Sequence, residues 1–144
     1  MSVSFPTIWT QWFPPNGPLS EHNLPSQVGK VFIITGGASG LGYFLSRILY
    51  GAGGKVYILT RSKERATDAI ANIKSEVKDS GRQLGSLEFI PMDLMDFETV
   101  KSAALEFLKR EGGPDSRLDV LFNNAGTGGR QNAPKGAQGH EYHM

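Results

Sequence analysis

Residues 31–42 read Val31-Phe32-Ile33-Ile34-Thr35-Gly36-Gly37-Ala38-Ser39-Gly40-Leu41-Gly42. An apolar run without polar interruption, bounded by Gly29 and Gly36, suits a parallel strand buried on both faces. The stretch that follows the glycines has Leu41, Phe44, Leu45, Ile48 and Leu49 at helical spacing. These five are expected to form the buried face of a helix over 40–50, which Gly51, Gly53 and Gly54 end. Strand, glycine turn and helix therefore follow one another with no spare residues.

The glycines in this turn have separate physical roles. Gly36 permits a tight turn off the strand, Gly40 keeps the backbone open to a pyrophosphate, and Gly42 lets the helix approach the sheet closely. The helix N-terminus then offers N–H groups and partial positive charge to phosphates. The turn does not end in Gly-Lys-Ser or Gly-Lys-Thr, which argues against a nucleoside-triphosphate loop.

Working outward, the alternation continues. Val56-Tyr57-Ile58-Leu59 is a second strand. Ser62 is suited to cap a second helix, with Ala66, Ala69, Ile70, Ile73 and Val77 on one face and Gly81 after it. Leu87–Ile90 is a third strand ending at Pro91. Asp96 caps a third helix, whose expected face is Phe97, Val100, Ala104, Phe107 and Leu108 and whose stop is Gly112-Gly113-Pro114. Leu118–Phe122 is a fourth strand. The order β-α-β-α-β-α-β predicts an α/β fold of the doubly wound, Rossmann type, a parallel sheet in strand order 3-2-1-4. In that order the fourth strand is an edge, although its residues are apolar on both faces. Either a second chain of the same or another kind covers such an edge, or the N-terminal arm does, or the protein is unstable. That arm, residues 1–29, is broken by Pro6, Pro14, Pro15, Pro18 and Pro25. Its apolar cluster Ile8, Trp9, Trp12 and Phe13 is expected to pack against the domain, with a partner contact or a membrane-surface anchor lacking the usual basic face as the alternatives.

Three motifs then stand in order. Thr35 with Gly36-x-x-x-Gly40-x-Gly42 follows the first strand, Asp93-Leu94 follows the third, and Asn123-Asn124-Ala125-Gly126 follows the fourth. Together they resemble the short-chain dehydrogenase/reductase family, over residues 30–144. The resemblance implies an NAD(P)-binding domain with Thr35, Gly36, Ser39, Gly40, Leu41 and Gly42 at the cofactor phosphates. It also implies Asp93 and Leu94 along the adenine, with Asn123, Asn124, Ala125 and Gly126 near the ribose.

The end of the second strand discriminates between cofactors. An acidic residue there favours the ribose 2′-OH of NAD. Here the chain has Thr60-Arg61-Ser62-Lys63. Arg61 can make charge-assisted bonds to a 2′-phosphate, and Lys63 and Arg65 add positive charge at a helix start, where it is otherwise unfavourable. NADP(H) is therefore expected in preference to NAD(H).

The family's chemistry is hydride transfer between a nicotinamide and a carbonyl or alcohol. It uses a Ser and a Tyr with Lys four residues later, and such a proton donor contributes ~10²–10⁴-fold. Tyr43, Tyr50, Tyr57 and Tyr142 all lack that lysine. The chain is accordingly expected to be truncated, stopping at the entry to the helix that would begin near Gly139, with no catalytic residue. A shortened oxidoreductase, a non-catalytic cofactor-binding or partner subunit, and an inactive remnant all remain open. His140, Glu141 and His143 are expected to start that helix and to bind no metal. A net charge of +1 gives no field for nucleic acid. The absence of cysteine excludes disulfides and thiolate metal sites. Neither a leader nor a membrane span is evident, so a cytoplasmic location is expected.

Overall fold

Burial on both faces marks the two central strands of this chain. The computed structural model describes residues 9, 12, 13, 20, 21, 23–77, 83–126 and 135–140. β1 (Val31–Thr35) is buried at every position, and β2 (Lys55–Thr60) is buried at all but its two ends. β3 (Ser86–Pro91) lies beyond β2, and β4 (Val120–Phe122) lies on the other side of β1. All pairings are parallel and the order is β3-β2-β1-β4, as the motif order predicts. The helices are α1 (Gly40–Gly51), α2 (Lys63–Glu76) and α3 (Phe97–Glu111). Gly81 and the residues after His140 lie outside the described residues, as does Ile8.

The sheet separates two cores. Phe32, Ile34, Val56, Ile58 and Leu87 pack with Leu49 and Tyr50 of α1 and Ile73 of α2. Val31, Ile33, Tyr57, Leu59, Ile90 and Met92 pack with Ala103 and Phe107 of α3. Helices thus cover both faces. The sequence places the fold correctly but misassigns two helix faces. In α1, Leu41 and Phe44 are exposed, and the buried residues are Gly42, Ser46, Leu49 and Tyr50. Small residues carry the N-terminal half of this contact. Ser46 is fully buried, and its Oγ lies 2.8 Å from Gly42 O and 3.2 Å from Gly37 O, so its hydroxyl is satisfied without water. In α3, Ala103 is buried where Ala104 is expected, and Phe97 and Leu108 are exposed. The cause is Phe107, whose ring stands edge-on to Tyr57 at 5.1 Å and fixes the rotation of the helix.

The helix ends follow local chemistry. Ser62 accepts a hydrogen bond from Arg65 N and Asp96 accepts one from Glu98 N, each worth about 1 kcal/mol. Gly112 ends α3 in the left-handed conformation, at φ 99°.

At the N-terminal edge of the sheet, Glu111 Oε1 accepts from Tyr57 Oη at 2.5 Å and from Lys55 Nζ at 2.6 Å. Burial alone would raise the Glu111 carboxyl, but the hydrogen bonds from Lys55 and Tyr57 outweigh it and hold it below the ordinary carboxylate range. Burial, and then the hydrogen bond to Glu111, push the Tyr57 phenol up.

β4 is the exposed edge that the strand order requires, with Val120 39% and Leu121 48% accessible. Trp9, Trp12 and Phe13 do not cover it; all three are exposed, contrary to the expectation that they pack on the domain. The rings of Trp9 and Phe13 instead meet each other at 4.6 Å, tilted by 38°, and Phe13 N donates to Trp9 O. β4 is fastened by Asp119, whose Oδ2 accepts from Val31 N at 2.8 Å while Arg117 donates to both carboxylate oxygens. The Arg117 guanidinium, and then the Val31 amide, hold this carboxyl at about 2 against an ordinary 3.8. A depressed carboxyl stabilises the fold above its unfolded value, and that contribution disappears as the pH falls through the folded one. Between about pH 4 and pH 2 the parent should therefore lose thermal stability more steeply than Asp119→Asn, measured by circular dichroism. Parallel curves would show that Asp119 does not fasten β4.

Candidate functional site

The parallel register brings the C-terminal ends of all four strands to one edge. The turns that leave them border a single cleft of about 1250 Å³. The β1–α1 turn contributes Gly36, Ser39, Gly40 and Leu41. The segment after β2 contributes Arg61, Ser62, Glu64 and Arg65. Asp93 and Leu94 follow β3, with Met95 and Phe97 beside them, and Asn124, Ala125 and Gly126 follow β4. Gly136, Gln138 and His140 complete the rim.

Gly36 turns off the strand at φ 67°, and a Cβ there would stand 3.2 Å from Ala125 Cα. Gly42 is more constrained: a Cβ would lie 2.5 Å from Gly36 O and 2.6 Å from Asn124 Nδ2. The start of α1 is thus pressed against the turn and the end of β4 together. Thr35 and Gly42 do not line the cleft but build it. Thr35 Oγ1 accepts from Ala125 N at 2.9 Å, and Thr35 O accepts from Asn124 Nδ2 at 3.0 Å. These bonds hold the β4 turn against the β1 turn.

The N-terminus of α1 differs from those of α2 and α3. Ser39 is extended, makes no side-chain cap bond, and no acidic residue stands in the first turn. α2 and α3 each have a side-chain cap and a first-turn glutamate, Glu64 and Glu98 respectively. The first-turn amides of α1 have no intrahelical acceptor, and their partial positive charge faces the cleft without a protein counter-charge in that turn. Nothing stands within 4 Å of where a Cβ of Gly40 would project. This end of the cleft is suited to an anion that approaches the backbone closely.

Beyond it, Arg61 and Arg65 line the cleft, and among the described residues neither forms an ion pair. Lys63 is exposed and does not line the cleft, and the same holds for Asn123. Asp93 does line it, but its Oδ1 is engaged as a turn acceptor for Met95 N at 2.9 Å. The Asp93 backbone is fixed by Thr99, whose Oγ1 accepts from Asp93 N.

Sequence reasoning missed Glu64, Met95, Phe97 and Gln138 as cleft residues. Glu64 was open to discovery as a first-turn residue beside Arg61. Residues 135–140 have no periodic pattern, so nothing local signals where they fold. His140 lies against Phe97, ring centroids 4.9 Å apart. Glu141 and His143 lie outside the described residues.

A model of the short chain dehydrogenase family matches residues 30–140. A short-chain dehydrogenase/reductase of Phomopsis amygdali is 43% identical over 98% of this chain and 40% of its own length. One from Neocamarosporium betae is 40% identical over 96% of this chain and 39% of its own. The chain thus spans about two fifths of the curated relatives that it matches. Among solved structures, the C-domain of bacterial malonyl-CoA reductase with NADP aligns at TM-score 0.64 and 36% identity, over 77% of this chain and 17% of that one. A metagenomic short-chain oxidoreductase in complex with NADP aligns at TM-score 0.59 and 28% identity, over 71% of this chain and 41% of that one.

The crowding at Gly42 gives a direct test. Gly42→Ala must push α1 away from Gly36 and Asn124, at a cost of about 1–3 kcal/mol. Equilibrium urea unfolding should register that loss. An unchanged midpoint would mean that α1 is not held this closely.

Proposed function

The chain belongs to the short-chain dehydrogenase/reductase family, and from that premise we propose that its cleft binds NADP(H), in the service of hydride transfer between the nicotinamide and a carbonyl or alcohol. The single observation that carries this reading is the α1 N-terminus, which faces the cleft with neither a side-chain cap nor a first-turn acid. The pyrophosphate supplies the missing negative charge and acceptor oxygens. Thr35, Gly36 and Gly42 shape the turn; Ser39, Gly40 and Leu41 border the phosphates. Arg61 takes the 2′-phosphate through charge-assisted bonds, Arg65 reinforces its field, and Lys63 adds a more distant charge. NADP in two related structures supports the choice. Asp93 and Leu94 flank the adenine. Asn124 fixes the β4 turn, and Asn123, Ala125 and Gly126 lie toward the ribose and nicotinamide.

When bound, the cofactor supplies the hydride. This chain's residues bind and orient it. Within these 144 residues no Tyr has Lys at the fourth following position, so the proton-donating pair of the family is not among them. A second reading, a cofactor-binding subunit that works against another chain, is favoured by the exposed β4 edge. The two readings differ in turnover, since a binding subunit holds NADPH without oxidising it in the presence of carbonyl substrates.

Arg61→Ala should weaken NADPH binding about tenfold to a hundredfold, the worth of one charge-assisted contact. NADH binding should change little. Both are measured by titration of cofactor fluorescence. Equal losses for the two cofactors would refute the placement of the 2′-phosphate at Arg61.

A further inference from the structure

Residues 135–140 form a strap across the start of α3. Gly139 N donates to Gly136 O and Gly136 N donates to His140 O, at 2.8 and 2.9 Å, which closes a tight loop. That loop is docked rather than free-standing. Ala137 N donates to Met95 O at 2.8 Å, and Gln138 uses both ends of its amide. Its Oε1 accepts from Phe97 N at 3.1 Å, and its Nε2 donates to Asp96 Oδ1 at 2.8 Å. Gln138 thereby satisfies a first-turn amide of α3 that has no partner within the helix. A Cβ on Gly136 would stand 2.8 Å from Met95 O, so the strap lies backbone to backbone on the loop after β3.

The docked strap carries His140 to the cleft. Its ring meets Phe97 at 4.9 Å, tilted by 38°, and both side chains line the cleft with Asp93, Leu94 and Met95. The register pairs Thr60 with Pro91, so the loops after β2 and β3 are neighbours. Arg61, read as the 2′-phosphate partner, and Asp93 and Leu94, read as flanking the adenine, line this same cleft with His140. We propose that His140, backed by Phe97 and latched by Gln138, is a positioning residue that forms an aromatic side wall for the adenine ring. The proposal rests on the NADP(H) reading of this cleft. It assigns a role to a segment whose sequence shows no binding motif. His140 and Phe97 present planar polarizable surface, and a purine stacks on such surface whichever way its edge points.

The test uses 2′,5′-ADP, which contains adenine, ribose and the 2′-phosphate but no nicotinamide. The parent chain should bind it and shift the adenine H2 and H8 proton resonances upfield through ring currents. His140→Ala should bind about tenfold more weakly and lose part of that shift. His140→Phe should restore both. Gln138→Ala, which keeps the histidine in the chain but releases the strap that holds it, should weaken binding in the same direction. An unchanged affinity and shift in His140→Ala overturns the side wall while the NADP(H) reading stands. A parent chain that binds neither 2′,5′-ADP nor NADPH overturns both.

Discussion

The cleft depends on the distance between the first turn of α1 and the carbonyl of Gly36. That distance is set by an absence, because a single methyl group on Gly42 would overlap both Gly36 O and Asn124 Nδ2. Close packing at this point has three results. It brings the α1 amides to the mouth of the β1 turn, and it gives Asn124 room to reach Thr35 O. It also turns α1 so that Ser46, and not Leu41 or Phe44, faces the sheet. Leu41 is thereby freed to border the cleft.

Polar groups are treated differently at the two ends of the sheet. At the N-terminal edge they are consumed internally: Lys55 and Tyr57 converge on Glu111, whose charge is fully answered by protein. At the C-terminal edge, α2 and α3 are closed by Ser62 and Asp96, while the start of α1 keeps its hydrogen-bonding capacity and, among the described residues, Arg61 and Arg65 form no ion pair. A buried group without a partner is costly, so such capacity survives only where solvent or a ligand reaches it. The cleft meets that condition.

The strands, their order and two of the three helix caps were legible in the sequence, because unbroken apolar runs and turn residues act over short range. Gly36 and Gly42 were legible for the same reason, since each answers a local steric demand. The α1 face was not. Hydrophobicity locates a buried face only when large side chains fill the contact, and here Gly42 and Ser46 fill its first half, with Leu49 and Tyr50 only at the far end. Ala103 in place of Ala104 came from the ring of Phe107 against Tyr57, a contact between residues far apart in sequence. The exposure of Trp9, Trp12 and Phe13 was hidden for a related reason: composition shows that rings are apolar, not which surface they meet. Residues 135–140 were illegible because their position is decided by contacts far away in the chain, Ala137 with Met95 and Gln138 with Asp96 and Phe97 at the start of α3.

The fastening of β4 also has a consequence in time. Asp119 to Val31, Thr35 to Phe122, Asn124 to Thr35 and Ala125 to Thr35 span 87 to 90 residues each. None of these bonds can exist until a growing chain has reached residue 119 or beyond. The strands β1, β2 and β3, and the helices between them, are complete in the chain before that point. Chain closure over such a span also costs more entropy than the shorter crossovers do. The wall of the cleft contributed by Asn124, Ala125 and Gly126 is therefore the last of the four strand ends to be synthesised, and its bonds to Thr35 close only after the rest of the sheet is in the chain.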